Sequence, residues 1–263
     1  MQPLKFAVAT AGFQQPLRTA LKSAASTHAA GIVFDARYEL TPQELSESGR
    51  RQLLHFLQEL GLTTAAVHFP LRRPLHDLPE LDRRLAAIKD TMAFTFQMKA
   101  RVLTVRIGPF PEPADSPEAR RMTQILEELA AHGNHVGVQL AVIPTQQSAE
   151  QLLASLQGIE TGFVGVDFDP TAFLSAGEDP AQALRTLHDR LLHFEVRDAF
   201  RQQAGQIREV PVGRGEVEWI EVIPSLLETE YTGWLTASRT DGPDRVGDCA
   251  RAIEYLQQIG WGG

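Results

Sequence analysis

The sequence predicts a single α/β domain closed into a (β/α)8 barrel, the TIM-barrel fold class, and three observations predict it. Short apolar runs rich in Val, Ile, Phe and Ala alternate with longer amphipathic stretches along the whole chain, the mark of parallel α/β folds. The units number eight in 263 residues, the count and size of a closed barrel, whereas a doubly wound open sheet seldom uses eight evenly spaced units. No low-complexity tract, linker or composition break divides the chain, so residues 1–263 are assigned to one domain.

In order, strands are expected at 6–10, 31–36, 64–69, 102–107, 138–143, 163–168, 192–197 and 233–238. Helical patterns fall between them at 16–29, 42–59, 78–100, 116–132, 149–157, 180–190, 217–229 and 245–259. Several helices open on a capping residue beside proline, as at Ser116-Pro117 and Asp179-Pro180, which accepts a free backbone N–H and presets the first turn. Others stop at glycine, as before Gly61 and Gly260. Pro224 is expected to kink or divide the seventh helix. The Pro-rich segment 109–117 reads as a loop over the barrel mouth.

Composition excludes several function classes. The apolar fraction of 43% suffices for a sizeable core, and a net charge of −8 without a basic run argues against a nucleic-acid surface. No stretch approaches the ~18 to 20 apolar residues of a membrane span. The lone cysteine, Cys249, excludes an internal disulfide and a multi-cysteine metal site, suits a reducing compartment, and is read as a core residue. Residues 1–13 resemble a signal peptide superficially but lack a cleavage region and read better as the first strand, so a cytoplasmic protein is expected. A homo-oligomer stays open.

The chain is organised around 163–199. Side chains alternate along a strand, so Asp167 and Asp169 share one face of the sixth strand, and His193, Glu195 and Arg197 share one face of the seventh. Strand C-terminal ends are where barrels place chemistry. Extended to the other strands, alternation brings Asp35, Arg37, His68, Arg106, Ile143, Ser238 and the adjoining Arg239 to the same mouth. Such a set suits a polyhydroxylated, anionic ligand, because guanidinium forks pair with carboxylate or phosphate and carboxylates accept hydroxyl protons. The competing structural reading is a set of buried Arg–Asp pairs that satisfy one another. Asp198 should point away from the axis and cap the following loop. Gly213 and Gly215 could offer backbone N–H groups to an anion where many barrels hold phosphate, or form a plain tight turn.

Four segments, 165–170 (GVDFDP), 192–199 (LHFEVRDA), 212–219 (VGRGEVEW) and 231–236 (YTGWLT), resemble the sugar phosphate isomerase/epimerase superfamily, the xylose-isomerase-like barrels that include a DNA-repair endonuclease branch. The resemblance implies a divalent metal held by a Glu ending the fifth strand, an Asp ending the sixth, a His in the seventh and a Glu ending the eighth. In this chain those positions carry Ile143, Asp169, Glu195 and Ser238. Isoleucine cannot ligate a metal and serine is a poor ligand. Oxygen ligands from Asp169 and Glu195 would suit Mg²⁺ or Mn²⁺; without an ion, Arg106 and Arg197 neutralise the same carboxylates.

The resemblance therefore implies an isomerase or epimerase acting on a small carbohydrate or sugar phosphate by proton transfer next to a carbonyl. Glu195 or Asp169 would be the base, with His68, Arg106, Arg197, Asp167, Arg37, Arg239, Gly213 and Gly215 holding substrate. The alternative is a barrel that binds a carbohydrate-like or anionic ligand without turnover, since Ile143 and Ser238 stand where proton transfer most needs carboxylates. Phosphodiester hydrolysis, as in the endonuclease branch, ranks last.

Overall fold

The structure, a computed structural model, describes residues 4–143, 145, 147–203 and 206–261. Eight parallel strands close into a barrel in the order β1-β10-β7-β6-β5-β4-β3-β2. They are β1 (Lys5–Ala9), β2 (Gly31–Asp35), β3 (Thr63–Phe69), β4 (Val102–Val105), β5 (Gln139–Val142), β6 (Val164–Phe168), β7 (Leu191–Val196) and β10 (Trp234–Ala237). Closure is explicit in the register, in which Val8 of β1 faces both Ile32 of β2 and Ala237 of β10. All eight expected strands are present, and so are the helices between them: α1 (Leu17–Ala25), α2 (Glu47–Glu59), α3 (Leu81–Gln97), α4 (Pro117–Val136), α5 (Ala149–Gln157), α7 (Pro180–Leu187), α8 (Trp219–Glu228) and α9 (Arg245–Trp261).

Local chemistry sets the helix ends. Ser116 accepts from Ala119 N ahead of Pro117, and α4 runs beyond its expected end to Gly137, whose φ of 78° closes the helix in a left-handed turn that favours glycine. Ser148 and Gln151 cap α5 reciprocally. Pro224 does not divide α8; the carbonyl that it cannot reach belongs to Ile220, an exposed residue whose backbone water can satisfy.

Two elements were not anticipated. A short helix, α6 (Pro170–Ala176), follows β6 directly, and an antiparallel hairpin of β8 (Asp198–Arg201) and β9 (Ile207–Val210) follows β7. Residues 109–117 do not line the mouth cavity, and Phe110 is buried.

The main core lies between strands and helices. On β6 and β7 the outward rings of Phe168 and Phe194 stack at 5.1 Å, and Phe173 of α6 stacks on Phe168 at 4.8 Å. Such aromatic pairs contribute ~0.5–1.5 kcal/mol beyond the burial itself. With the Phe residues fixed outward, period two turns Asp167, His193 and Glu195 inward. Gly165 permits the close approach of these strands, because a β-carbon there would overlap the Leu192 side chain and the Arg190 carbonyl. Cys249 is buried, as expected. Among the described residues no helix is long and apolar enough to cross a membrane.

Candidate active site at the barrel mouth

Two layers of polar side chains fill the C-terminal end of the barrel. In the lower layer His193 Nδ1 lies 2.8 Å from Asp167 Oδ1 and His193 Nε2 lies 2.8 Å from Thr236 Oγ1, all three residues being fully buried. Burial alone would lower the imidazole pKa, but the charge of Asp167 and its hydrogen bond outweigh burial and raise it. The raised pKa favours the protonated imidazole, which has one N–H for Asp167 and one for Thr236. The other oxygen, Asp167 Oδ2, is buried with no hydrogen-bond partner among the described residues.

The upper layer lines a cavity of about 340 Å³ bounded by Asp35, His68, Arg106, Ile143, Asp169, Glu195, Arg197 and Ser238, among others. Two of its three carboxylates, Glu195 and Asp169, have opposite fates. Burial, and then the negative charge of Asp167, push Glu195 from 4.5 up to about 7, against a smaller lowering by His193. Ser238 Oγ donates to Glu195 Oε2 at 2.9 Å. Burial works in the same sense on Asp169, but the Arg197 guanidinium at 2.7 Å, hydrogen bonds from Thr171 and the charge of Arg106 at 3.9 Å overcome it and hold Asp169 below the usual carboxylate range. Divergent carboxylates in one cavity separate a proton-moving group from a permanently charged one. Asp169 is also the N-cap of α6, accepting from Thr171 N at 3.0 Å and Thr171 Oγ1 at 2.6 Å. His68, hydrogen-bonded to Thr104 Oγ1 at 3.0 Å, is held neutral, since burial lowers its pKa more than Asp35 and Asp167 raise it.

The cavity gathers His68, Arg106, Asp169, Glu195 and Arg197, and Asp167 sits beneath them. Three expectations meet a different environment. Arg37 lies in a separate cavity, donating to Pro70 O at 2.7 Å and stacking over Phe69. Arg239 is buried between Glu209 at 2.8 Å and Asp248 at 3.0 Å. Gly213 N and Gly215 N both donate to Asp198 Oδ2, at 2.8 and 3.1 Å. Asp198 also accepts from Ala199 N, Val217 N and Trp219 Nε1. The anion that the glycine turn embraces is therefore the protein's own, and a β-carbon at Gly215 would overlap it.

Sequence reasoning missed Glu209. Carried in by β9, it bridges Arg197 Nη2 at 3.1 Å and Arg239 Nη1 at 2.8 Å and takes both donors of Thr240. Burial opposes its charge, but these partners outweigh that and keep its pKa low. The sequence offered no period-two signal for it, since 207–210 reads Ile-Arg-Glu-Val, with two polar residues side by side.

Asp167, His193 and Glu195 bring three potential metal-ligand atoms within 4.8 Å of one another. A cation there would have to draw His193 away from Asp167 or Thr236. At the positions that the resemblance assigns to a metal, Ile143 is apolar, Ser238 donates to Glu195, and both Asp169 oxygens are engaged. These residues do not fit the implied ion.

The family model described as xylose isomerase-like TIM barrel matches residues 21–259. No curated protein matches the sequence. Similar solved structures include a xylose isomerase domain protein from Planctomyces limnophilus, with TM-score 0.85 and 20% identity over 98% of this chain and 96% of that one. A xylose isomerase-like TIM barrel protein from Mycobacterium smegmatis, solved in complex with magnesium, has TM-score 0.80 and 17% identity over 98% of each chain. A D-tagatose 3-epimerase-like protein has TM-score 0.80 and 18% identity over 97% of each.

Proposed function

Because the chain belongs to the xylose isomerase-like TIM barrel family, as the match over most of its length shows, we propose that it moves a proton next to the carbonyl of a small polyhydroxylated substrate, as an isomerase or epimerase does. The observation that carries this reading is the contrast between Glu195, titrating at about 7, and Asp169, held ionised by Arg197. A group that titrates near neutrality both takes and returns a proton at working pH. Glu195 is the base. Arg106, with Arg197 behind it, supplies positive charge for the developing ene-diolate oxygen, the part for which the metal-ligand positions are no longer equipped. Asp35 and His68, the latter kept neutral by burial, would hold substrate hydroxyls. No step in this reading runs through a metal ion.

The test is exchange of substrate carbon-bound hydrogen in D2O, followed by NMR with ketoses such as D-tagatose and D-fructose. Exchange should rise with pH through about 7 and fall by roughly two to four orders of magnitude in Glu195→Gln, the range of general acid–base catalysis. Ketose binding without exchange would overturn the catalytic reading in favour of a binding barrel, for which Ile143 and Ser238 already speak.

A further inference from the structure

We propose that the cavity between the segment following β2 and the β3–α3 connection is a second ligand site, one that takes a multiply charged oxyanion of the phosphate-ester class. This cavity of about 510 Å³ is separate from the mouth, and Arg37, Arg72, Arg73, Arg83 and Arg84 line it against one carboxylate, Glu80. Its volume lies within the range of small-molecule sites.

Three of the five guanidiniums are oriented by uncharged acceptors. Arg37 donates to the Pro70 carbonyl, Arg72 donates to the Tyr38 hydroxyl and stacks over its ring, and Arg84 donates to the carbonyls of Leu75, Asp77 and Pro79. Carbonyl and phenol acceptors fix the direction of a guanidinium and leave its full charge in place. Among the described residues, Arg83 is the one of the five paired with a carboxylate, with its Nη1 3.8 Å from Glu80 Oε2, and both of those side chains are largely exposed. An exposed pair of this length neutralises little.

Five like charges around one concavity repel one another, in a protein whose net charge is −8. That arrangement is unfavourable until an anion enters. Phe69, Leu71 and Ala87 supply apolar wall between the arginines. Planar forks arriving from several directions match the tetrahedral oxygens of phosphate better than a single carboxylate.

The site adjoins the mouth through the chain itself. Asp35 and His68 line the mouth, while Arg37 and Phe69, two residues and one residue further on, line the second cavity. The anion is thus either the phosphate end of a ligand seated over Glu195 or a separate molecule. The proposal does not depend on turnover at Glu195.

The experiment is calorimetric titration of inorganic pyrophosphate into the full chain at low ionic strength. One saturable site is expected, weakening as NaCl is added. In the double variant Arg72→Ala/Arg83→Ala affinity should drop about tenfold or more; both side chains are exposed, so an unchanged Tm will show that the fold is kept. No saturable binding at millimolar pyrophosphate, or undiminished binding in the double variant, would overturn the proposal. Loss of binding in Arg106→Ala but not in the double variant would also overturn it, by placing the anion in the mouth. D-fructose 6-phosphate against D-fructose separates the two sources. Sugar phosphate binding weakened by the double variant and by Glu195→Gln alike identifies one ligand spanning both cavities, and indifference to Glu195→Gln identifies a separate anion.

Discussion

Replacing Glu195 with Gln should flatten the pH dependence of folding stability between about pH 5 and pH 8. In the unfolded chain this carboxyl titrates at 4.5, and in the folded protein burial and the charge of Asp167 move it to about 7. Below 4.5 it is protonated in both states, and the stability linked to its proton is fully present. As pH rises, the unfolded chain ionises freely while the folded one holds its proton, so stability is lost until about pH 7 is passed. At ~1.4 kcal/mol per pH unit the displacement corresponds to ~3 kcal/mol. Glu195 is half-buried and faces a water-accessible cavity, so screening brings the expected loss to ~1–2 kcal/mol. For a chain of this size that is a fall in Tm of ~2–8 °C. The assay is urea or thermal unfolding of both proteins at four pH values from 5 to 8. His193 has a raised pKa of its own and contributes in the same sense; Asp167, the larger cause of that rise, remains in both proteins, while the smaller part owed to Glu195 is lost with it. Parallel curves for wild type and Glu195→Gln would refute the assignment of a near-neutral carboxyl, and with it the basis for Glu195 as proton carrier.

Other outcomes follow from the contacts. Asp198→Ala leaves five N–H donors without their acceptor and should destabilise the protein by ~3–5 kcal/mol in denaturant titration, since each charge-assisted bond is worth ~1.5–3 kcal/mol and relaxation recovers part; a loss under ~1 kcal/mol would mean that water replaces the carboxylate. Arg197→Met should cost ~3–5 kcal/mol by stranding the buried Asp169 charge. Because Asp169 has a lowered pKa, its contribution is present above 3.8 and lost as pH falls below it, so wild type should weaken in acid more than Arg197→Met does, as unfolding at pH 3 and pH 7 would show. Titration with Mg²⁺ or Mn²⁺ should leave Tm unchanged; an increase abolished by Asp167→Asn would instead put an ion among Asp167, His193 and Glu195.

Most of the barrel was legible because period-two patterning and eight strand-helix units are written into the chain itself. The hairpin and α6 were not. β8 and β9 hold four residues each, and α6 is seven residues long, too short for a 3.6-residue period to emerge. α6 does carry a visible start in Asp169-Pro170, but the same aspartate read as an active-site carboxylate, and it serves as both.

Within the site, alternation succeeded or failed according to distance from the last residue of each strand. Arg106, Ile143, Asp169, Arg197 and Ser238 each stand one residue beyond β4, β5, β6, β7 and β10, and all five line the mouth. Arg37 and Arg239 stand two residues beyond β2 and β10, and neither lines it. In β4–β7 and β10 the ladder still constrains the first residue past the strand, but two residues past β2 and β10 the backbone has turned. After β2 the turn is made by Asp35, whose Oδ1 accepts from Arg37 N and Tyr38 N at 2.8 Å each, and the Arg37 side chain leaves with it. The five residues just past β4, β5, β6, β7 and β10 therefore supply much of the chemistry of the mouth. Together they hold two guanidiniums, one carboxylate, a hydroxyl and an isoleucine, with Glu195 just below. Positive charge that an ion would bring to such a mouth is supplied by Arg106 and Arg197, and a guanidinium, unlike an ion, is tethered to a strand end and braced from behind, in this case by Glu209 on a hairpin that the strand pattern alone did not reveal.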